Sequence, residues 1–168
     1  MNKKKAIFLD RDGVINQNRN DYVKNINELK IFDFVGSSIN ELKRMGFLVL
    51  IVTNQSAINR GITTEKSVNE IHERIQKYLK NYETLIDKFY FCPHTPKEEC
   101  NCRKPKPGLL EKAILEMNIV PEESWMIGDN DTAILAGMAV GCKTIKLDDK
   151  FNLKDAIQEI KKKSISKK

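Results

Sequence analysis

Residues 5–16 read KAIFLDRDGVIN. Four apolar residues, Ala6 to Leu9, run without polar alternation into two acids and a glycine. A short apolar run of this kind predicts a strand buried on both faces, Ala6–Asp10, which is the pattern of a parallel sheet covered by helices. Asp10 and Asp12 are two residues apart, so in extended chain they point the same way. Gly13 then lets the backbone turn.

The same alternation of apolar run and helical period continues along the chain. Further strands are predicted at Phe47–Val52, Lys88–Phe91, Ser124–Ile127 and Lys143–Leu147. Helices are predicted at Phe34–Met45, with Val35, Ile39 and Leu42 on one face and Gly46 as the stop, and at Thr64–Tyr82, along Val68, Ile71, Ile75 and Leu79. Pro107 suits the first turn of the next helix, where Leu110, Ala113 and Ile114 face inward. A small-residue helix at Thr132–Val140 and a last one at Asn152–Lys163 complete the series. Strand, helix, strand, helix implies a parallel sheet with helices on both faces, and ligands beyond the carboxyl ends of the strands. His72 reads as solvated, Cys142 and Trp125 as packed, and Met45, Met117, Met126 and Met138 as core.

Each polar motif falls after a predicted strand. Two carboxylates on one side of a strand end repel unless a cation joins them or one is protonated. Either state suits phosphoryl transfer: one acid attacks phosphorus and the other exchanges the proton. A turn with two solvated acids is the plain alternative. After the second strand come Thr53, Asn54, Gln55 and Ser56, a hydroxyl and amide N–H groups suited to phosphate oxygens or to a polar turn. Arg103 and Lys104 lie between the cysteines and Pro105, where a lysine can neutralise phosphate charge. Asp129 follows the fourth strand and would complete a Mg²⁺ site with Asp10 and Asp12. Asp131 could cap the following helix.

Three of the four cysteines and one of the two histidines fall in CPHTPKEECNC, residues 92–102. The spacing C-x-H-x₅-C-x-C offers Cys92, His94, Cys100 and Cys102 as a closed tetrahedral Zn²⁺ set with no position left for water. A disulfide is the alternative, and it suits neither reduced thiols nor a histidine in register.

The chain has 168 residues and a formal net charge of +6. From Lys150 onward seven lysines stand against Asp155 and Glu159, a net +5 that is nearly the whole surplus, Lys3–Lys5 add +3, and no aromatics interleave with the tail lysines. A solvated helix end is therefore expected rather than nucleic-acid binding. No run is long enough to span a bilayer and no signal peptide is evident, so a cytoplasmic protein is expected. A single domain over 1–163 is expected, with a disordered basic tail at 164–168.

DRDG, TNQS, the Cys/His loop, RKPKPG and GDN occur in order, and together they resemble the haloacid dehalogenase (HAD) superfamily of phosphotransferases over nearly the whole chain. The resemblance implies a three-layer Rossmann-like fold with no cap domain and a small zinc-binding loop. It implies Asp10 as nucleophile, Asp12 as acid/base, Thr53 and Lys104 on the phosphoryl group, and Mg²⁺ on Asp10, Asp12 and Asp129. It also implies substrate contacts from Asn54, Gln55, Ser56, Arg103 and Asn130, and from a flap carrying Asn20, Asp21 and Tyr22. The expected partner is a small phosphorylated sugar, bound by a monomer. Histidinol-phosphate phosphatases share the DRDG, TNQ and Cys/His elements and stand as the rival branch. A polynucleotide phosphatase and a non-catalytic zinc-stapled domain are more distant readings. The superfamily usually has a second acid four residues after the GD aspartate, and here that position is Ala133, which puts the order of Lys104 in question.

Overall fold

The computed structural model describes residues 3–165. Five strands, β1 (Ala6–Leu9), β2 (Leu48–Asn54), β3 (Lys88–Cys92), β4 (Trp125–Gly128) and β5 (Lys143–Lys146), form one sheet in the order β3-β2-β1-β4-β5. Every pairing is parallel. Helices α1 (Val35–Arg44), α2 (Glu65–Lys80), α3 (Gly108–Met117), α4 (Asp131–Ala139) and α5 (Leu153–Ile165) make the connections. All five predicted strands and all five helices form, within about two residues of their expected ends.

The three layers follow from the two-residue period of the strands. Ile7 and Leu9 of β1 pack with Ile39 of α1, Ile75 of α2 and Ile157 of α5. Ala6 and Phe8 face the other way, onto Leu110 of α3 and Ala136 of α4. The sheet thus has a core on each face. Chain order runs outward from β1 in both directions, so the topological switch point lies between β1 and β4. The loops after those two strands diverge there and leave a crevice at their carboxyl ends. Among the described residues no helix or strand lies between β1 and α1, and only α2 lies between β2 and β3, so the crevice carries no cap domain. No described helix is long and apolar enough to cross a membrane.

Four local expectations change. His72 is 5% exposed, not solvated, because Phe89 of β3 covers it at a ring separation of 4.4 Å. Met138 is 60% exposed, because α4 is apolar on all sides and only its small residues face the sheet. The cap of α4 is Asn130, whose side chain accepts from the Ala133 N–H, while Asp131 begins the helix and pairs with Lys146 at 2.6 Å. Helix α5 runs on to Ile165, into the segment expected as a tail, and residues 166–168 lie outside the described part.

Burial, and after it the nearby Arg11 charge, pushes the His72 imidazole down from 6.5 to about 3. Between those values only the unfolded chain holds the proton, so stability falls as the pH drops from 6.5 toward 3. The slope is at most about 1.4 kcal/mol per pH unit. His72→Phe keeps the ring stack and removes the titration. Urea midpoints at pH 7 and pH 5 should therefore move further apart in the wild type than in this variant.

Candidate active site

Asp10 follows β1 and Asp129 follows β4, on either side of the switch point. The Asp10 N–H donates to the Ile127 carbonyl at 3.1 Å, which continues the β1–β4 ladder up to the site. Asp10 is 6% exposed. Its Oδ1 accepts from the Arg11 N–H at 2.8 Å and its Oδ2 from Lys104 Nζ at 2.7 Å. Burial, and after it the Asp10 charge, raises the Asp129 carboxyl above the usual range. Two facing carboxylates in a half-buried crevice are the donor set of a hard divalent cation. Gly13, at φ +83°, makes the approach possible: a Cβ there would stand 1.9 Å from Asp129 Oδ2.

Lys104 comes from the opposite side and is 2% exposed. Its ammonium donates to Asp10 Oδ2 and, at 2.8 Å, to the Val52 carbonyl of β2. Its backbone is clasped by Asn54, which accepts from the Lys104 N–H at 3.0 Å and donates to the Lys104 carbonyl at 3.1 Å. Asn54 therefore places the lysine rather than facing a ligand. Thr53 is 1% exposed at the end of β2. Its Oγ1 accepts from Gln55 Nε2 at 2.9 Å, which leaves its own O–H to donate.

Gln55 was expected to contact substrate, but it is 3% exposed and both ends of its amide are engaged inside the protein. Its Nε2 also donates to Asp12 Oδ2 at 3.0 Å, and its Oε1 accepts from Arg11 Nη2 at 3.2 Å. Ser56 is likewise buried, with Arg60 Nε at 3.4 Å from its Oγ. Asn130 uses its carbonyl oxygen to cap α4 and turns its Nδ2 to Asp129 Oδ1 at 3.0 Å and Asp10 Oδ2 at 3.4 Å. It is exposed at the crevice while touching both carboxylates.

Asp21 in the flap is engaged within its own loop. Arg19 Nε and Nη2 donate to its two oxygens at 3.0 and 3.1 Å, and Lys24 Nζ adds a 2.7 Å contact. The hydrogen bonds from Arg19, then Lys24, hold its carboxyl well below the usual range. Asn20 is exposed, and Tyr22 takes a left-handed φ of +67°. A cleft of about 620 Å³ opens beside Asp129, between Phe32 and Phe34 on one side and Lys146 and Asp148 on the other.

The Cys/His loop begins at the end of β3. The ligand atoms of Cys92, His94, Cys100 and Cys102 all lie within 4.8 Å of one another. The contacts run from 3.1 Å (Cys102 to Cys92) through 3.4 Å (Cys92 to His94 Nδ1) to 3.6 Å (Cys92 to Cys100). A Zn–S bond of about 2.3 Å implies tetrahedral edges of about 3.8 Å, so the cluster matches a zinc tetrahedron slightly contracted. Against the burial that pushes it up, the Arg103 N–H and the facing thiols bring the Cys100 thiol down to about 7. Arg103 Nη1 donates to the His94 carbonyl at 3.2 Å, and the Gln55 N–H donates to the Cys92 carbonyl at 2.7 Å. The loop thus braces Arg103, Lys104 and the end of β2 together.

Arg11 and Asn16 were not singled out from the sequence. Asn16 Nδ2 donates to Asp12 Oδ1 at 2.9 Å, and the Arg11 guanidinium pairs with the same oxygen at 3.0 Å. One signal was available. An arginine set between two acids at the end of a buried strand is costly to bury without a carboxylate partner.

The HAD-hydrolase-like family model matches residues 101–163. A D-glycero-β-D-manno-heptose-1,7-bisphosphate 7-phosphatase of Haemophilus ducreyi is 38% identical over 84% of this chain and 81% of its own length. One from Helicobacter pylori is 41% identical over 82% of this chain and 80% of its own. The crystal structure of the D,D-heptose 1,7-bisphosphate phosphatase of B. bronchiseptica, complexed with magnesium and phosphate, superposes with a TM-score of 0.80 at 31% identity. That match covers 83% of this chain and 78% of the other. With that identity sustained over four-fifths of both sequences, the chain belongs to the D-glycero-β-D-manno-heptose-1,7-bisphosphate 7-phosphatase family of HAD-like hydrolases.

Proposed function

We propose that this protein is a Mg²⁺-dependent phosphatase that removes the 7-phosphate of D-glycero-β-D-manno-heptose 1,7-bisphosphate. The observation that carries this reading is the meeting of Asp10, Asp12, Asp129 and Lys104 at one switch point in a chain of this family. Relatives at 38–42% identity carry the heptose name, which favours it over histidinol phosphate. The proposed partner is a small phosphorylated sugar, met by a cytoplasmic monomer.

Asp10 and Asp129, with the Asp12 backbone carbonyl, would hold Mg²⁺. When bound, the cation offsets charge on the phosphoryl oxygens. Asp10 attacks phosphorus in line with the leaving oxygen. An Asp10–phosphorus bond forms as the bond to the sugar oxygen breaks, and Asp12 gives that oxygen its proton. Water then attacks phosphorus, its proton passes to Asp12, and Asp10 is released. The Thr53 O–H and the Lys104 ammonium hold the phosphoryl oxygens, and because both are preset by buried contacts they need little rearrangement in the transition state. Arg103, on the zinc loop, contributes to recognition of the rest of the substrate. The histidine and three thiolates select zinc over Mg²⁺ and leave it no open position, so its role is to staple Arg103 and Lys104.

Asp10→Asn removes the nucleophile but keeps the shape. Turnover of heptose bisphosphate should drop at least about 10³-fold while the protein stays folded, with a lowered melting temperature because the buried Lys104 loses its carboxylate. A substrate panel with both anomers of the heptose bisphosphate and histidinol phosphate tests the assignment. A higher kcat/KM on histidinol phosphate would reverse it.

Removing zinc by chelation should raise KM for the sugar and lower kcat while Mg²⁺ binding is retained. Zinc stoichiometry, steady-state kinetics and Mg²⁺ titration of the same sample measure this. Unchanged KM and kcat in zinc-free protein would show that the loop staples nothing.

A further inference from the structure

Arg11 takes no part in the steps above, yet it is the largest completely buried side chain among the described residues. Its backbone N–H serves Asp10, but its side chain turns the other way and forks onto Asp12. Nε and Nη2 donate to Asp12 Oδ1 at 3.3 and 3.0 Å, and Nη2 reaches Oδ2 at 3.2 Å. Asn16 completes the hold on Oδ1 and Gln55 the hold on Oδ2. Gln55 is fixed in turn by Arg11 Nη2 and by Thr53 Oγ1. Both oxygens of Asp12 are therefore gripped from inside the protein, while the side chain keeps 24% exposure toward the crevice.

Stability is a weak explanation for this arrangement. A buried guanidinium loses its hydration, and replacing such a pair with apolar residues is often neutral or stabilising. Here Arg11 Nη1 is buried with no hydrogen-bond partner, a further cost that an apolar residue would not carry. What a planar fork supplies that apolar packing does not is a fixed carboxylate plane. An acid/base that serves the leaving oxygen and then a water at the same phosphorus depends on that plane.

We infer that Arg11 is a positioning residue for the acid/base: its fork, closed by Gln55 and Asn16, fixes the orientation from which Asp12 exchanges its proton. The inference rests on the phosphatase reading, with Asp12 as the acid/base. When Oδ2 takes up a proton, the 3.2 Å Nη2 contact is the one that yields, since Nη2 is shared with Oδ1 and with Gln55. The Nη2 and Asn16 contacts to Oδ1, at 3.0 and 2.9 Å, keep the plane.

The leaving group separates positioning from general loosening. An alkyl sugar oxygen needs a proton to depart, whereas p-nitrophenyl phosphate releases a stable phenolate without one. Arg11→Lys keeps the charge and most of the stem but has no fork. Misplacing a reacting group by about an ångström costs about 10²-fold, so kcat/KM on heptose bisphosphate should fall by about that factor, chiefly through kcat. On p-nitrophenyl phosphate the general acid contributes little to the release of phenolate, and kcat/KM does not include the later attack of water, so the fall in kcat/KM should stay within about threefold. Gln55→Met, which leaves the ion pair whole, should give the same split at smaller size, and it decides the question if Arg11→Lys does not fold. Equal losses on the two substrates, in whichever variant folds, overturn the inference. A wild-type protein that hydrolyses neither substrate overturns the phosphatase reading instead.

Discussion

The ammonium of Lys104 lies 2.7 Å from Asp10 Oδ2, across 94 positions of sequence, with side-chain exposures of 1% and 9%. An ion pair that far from water gives little net stability, because desolvating both charges offsets most of their attraction. What it constrains is placement. Three parts of the chain must be correct for it to exist: β1 must end at the switch point, β2 must present the Val52 carbonyl, and the Cys/His loop must return Lys104 to the sheet. The clasp of Asn54 on the Lys104 backbone and the contact of Arg103 with the His94 carbonyl fasten that return.

Charge balance around this pair gives the site its need for a cation. Asp10, Asp12 and Asp129 supply three acids against the two cations Lys104 and Arg11, so with Asp12 holding the proton it donates these groups balance. Burial, and after it the Asp10 charge, raises the Asp129 carboxyl. A phosphate ester is an anion and gains no net attraction from a balanced site. A divalent cation held by Asp10 and Asp129 would turn the crevice into an anion site. Zinc cannot serve this purpose from the Cys/His loop, because its four ligands enclose it. The two metals would therefore divide the work by ligand chemistry: oxygen ligands at the reacting centre, and sulfur with nitrogen at the brace.

The fold was legible because burial on both faces of a parallel sheet leaves uninterrupted apolar runs, and Ala6–Leu9 and Leu48–Val52 are such runs. The three acids and the zinc ligands were legible because position after a strand and ligand spacing are local properties. The roles of Asn54, Gln55 and Asn130 were not. An amide at a strand end can face outward or inward, and the choice depends on partners such as Lys104 and Arg11, 50 and 44 positions away. His72 was misread for the same reason. The helical period set it beside the buried Ile71/Ile75 face, and only the pairing of β3 with β2 brings Phe89 over it. Met138 was misread because a helix that is apolar all round carries no periodic signal of its inward face.

Ala133 is the strongest sequence argument against a working site, and the structure answers it. An acid there would be expected to hold Lys104, yet Lys104 is buried and bonded to two acceptors without one. The second acceptor is a strand carbonyl, whose position is secured by the sheet rather than by any side chain. Position 133 itself is fully buried on the α3/α4 side, and a Cβ on Gly128 would stand 2.4 Å from the Ala133 Cβ. Ala133 therefore seats α4 tightly on the end of β4. Asn130 accepts from the Ala133 N–H and turns its Nδ2 to Asp129 and Asp10. Where an acid would have fixed the lysine stands a small residue that lets α4 approach β4, and the backbone carbonyl of Val52 keeps the lysine in place.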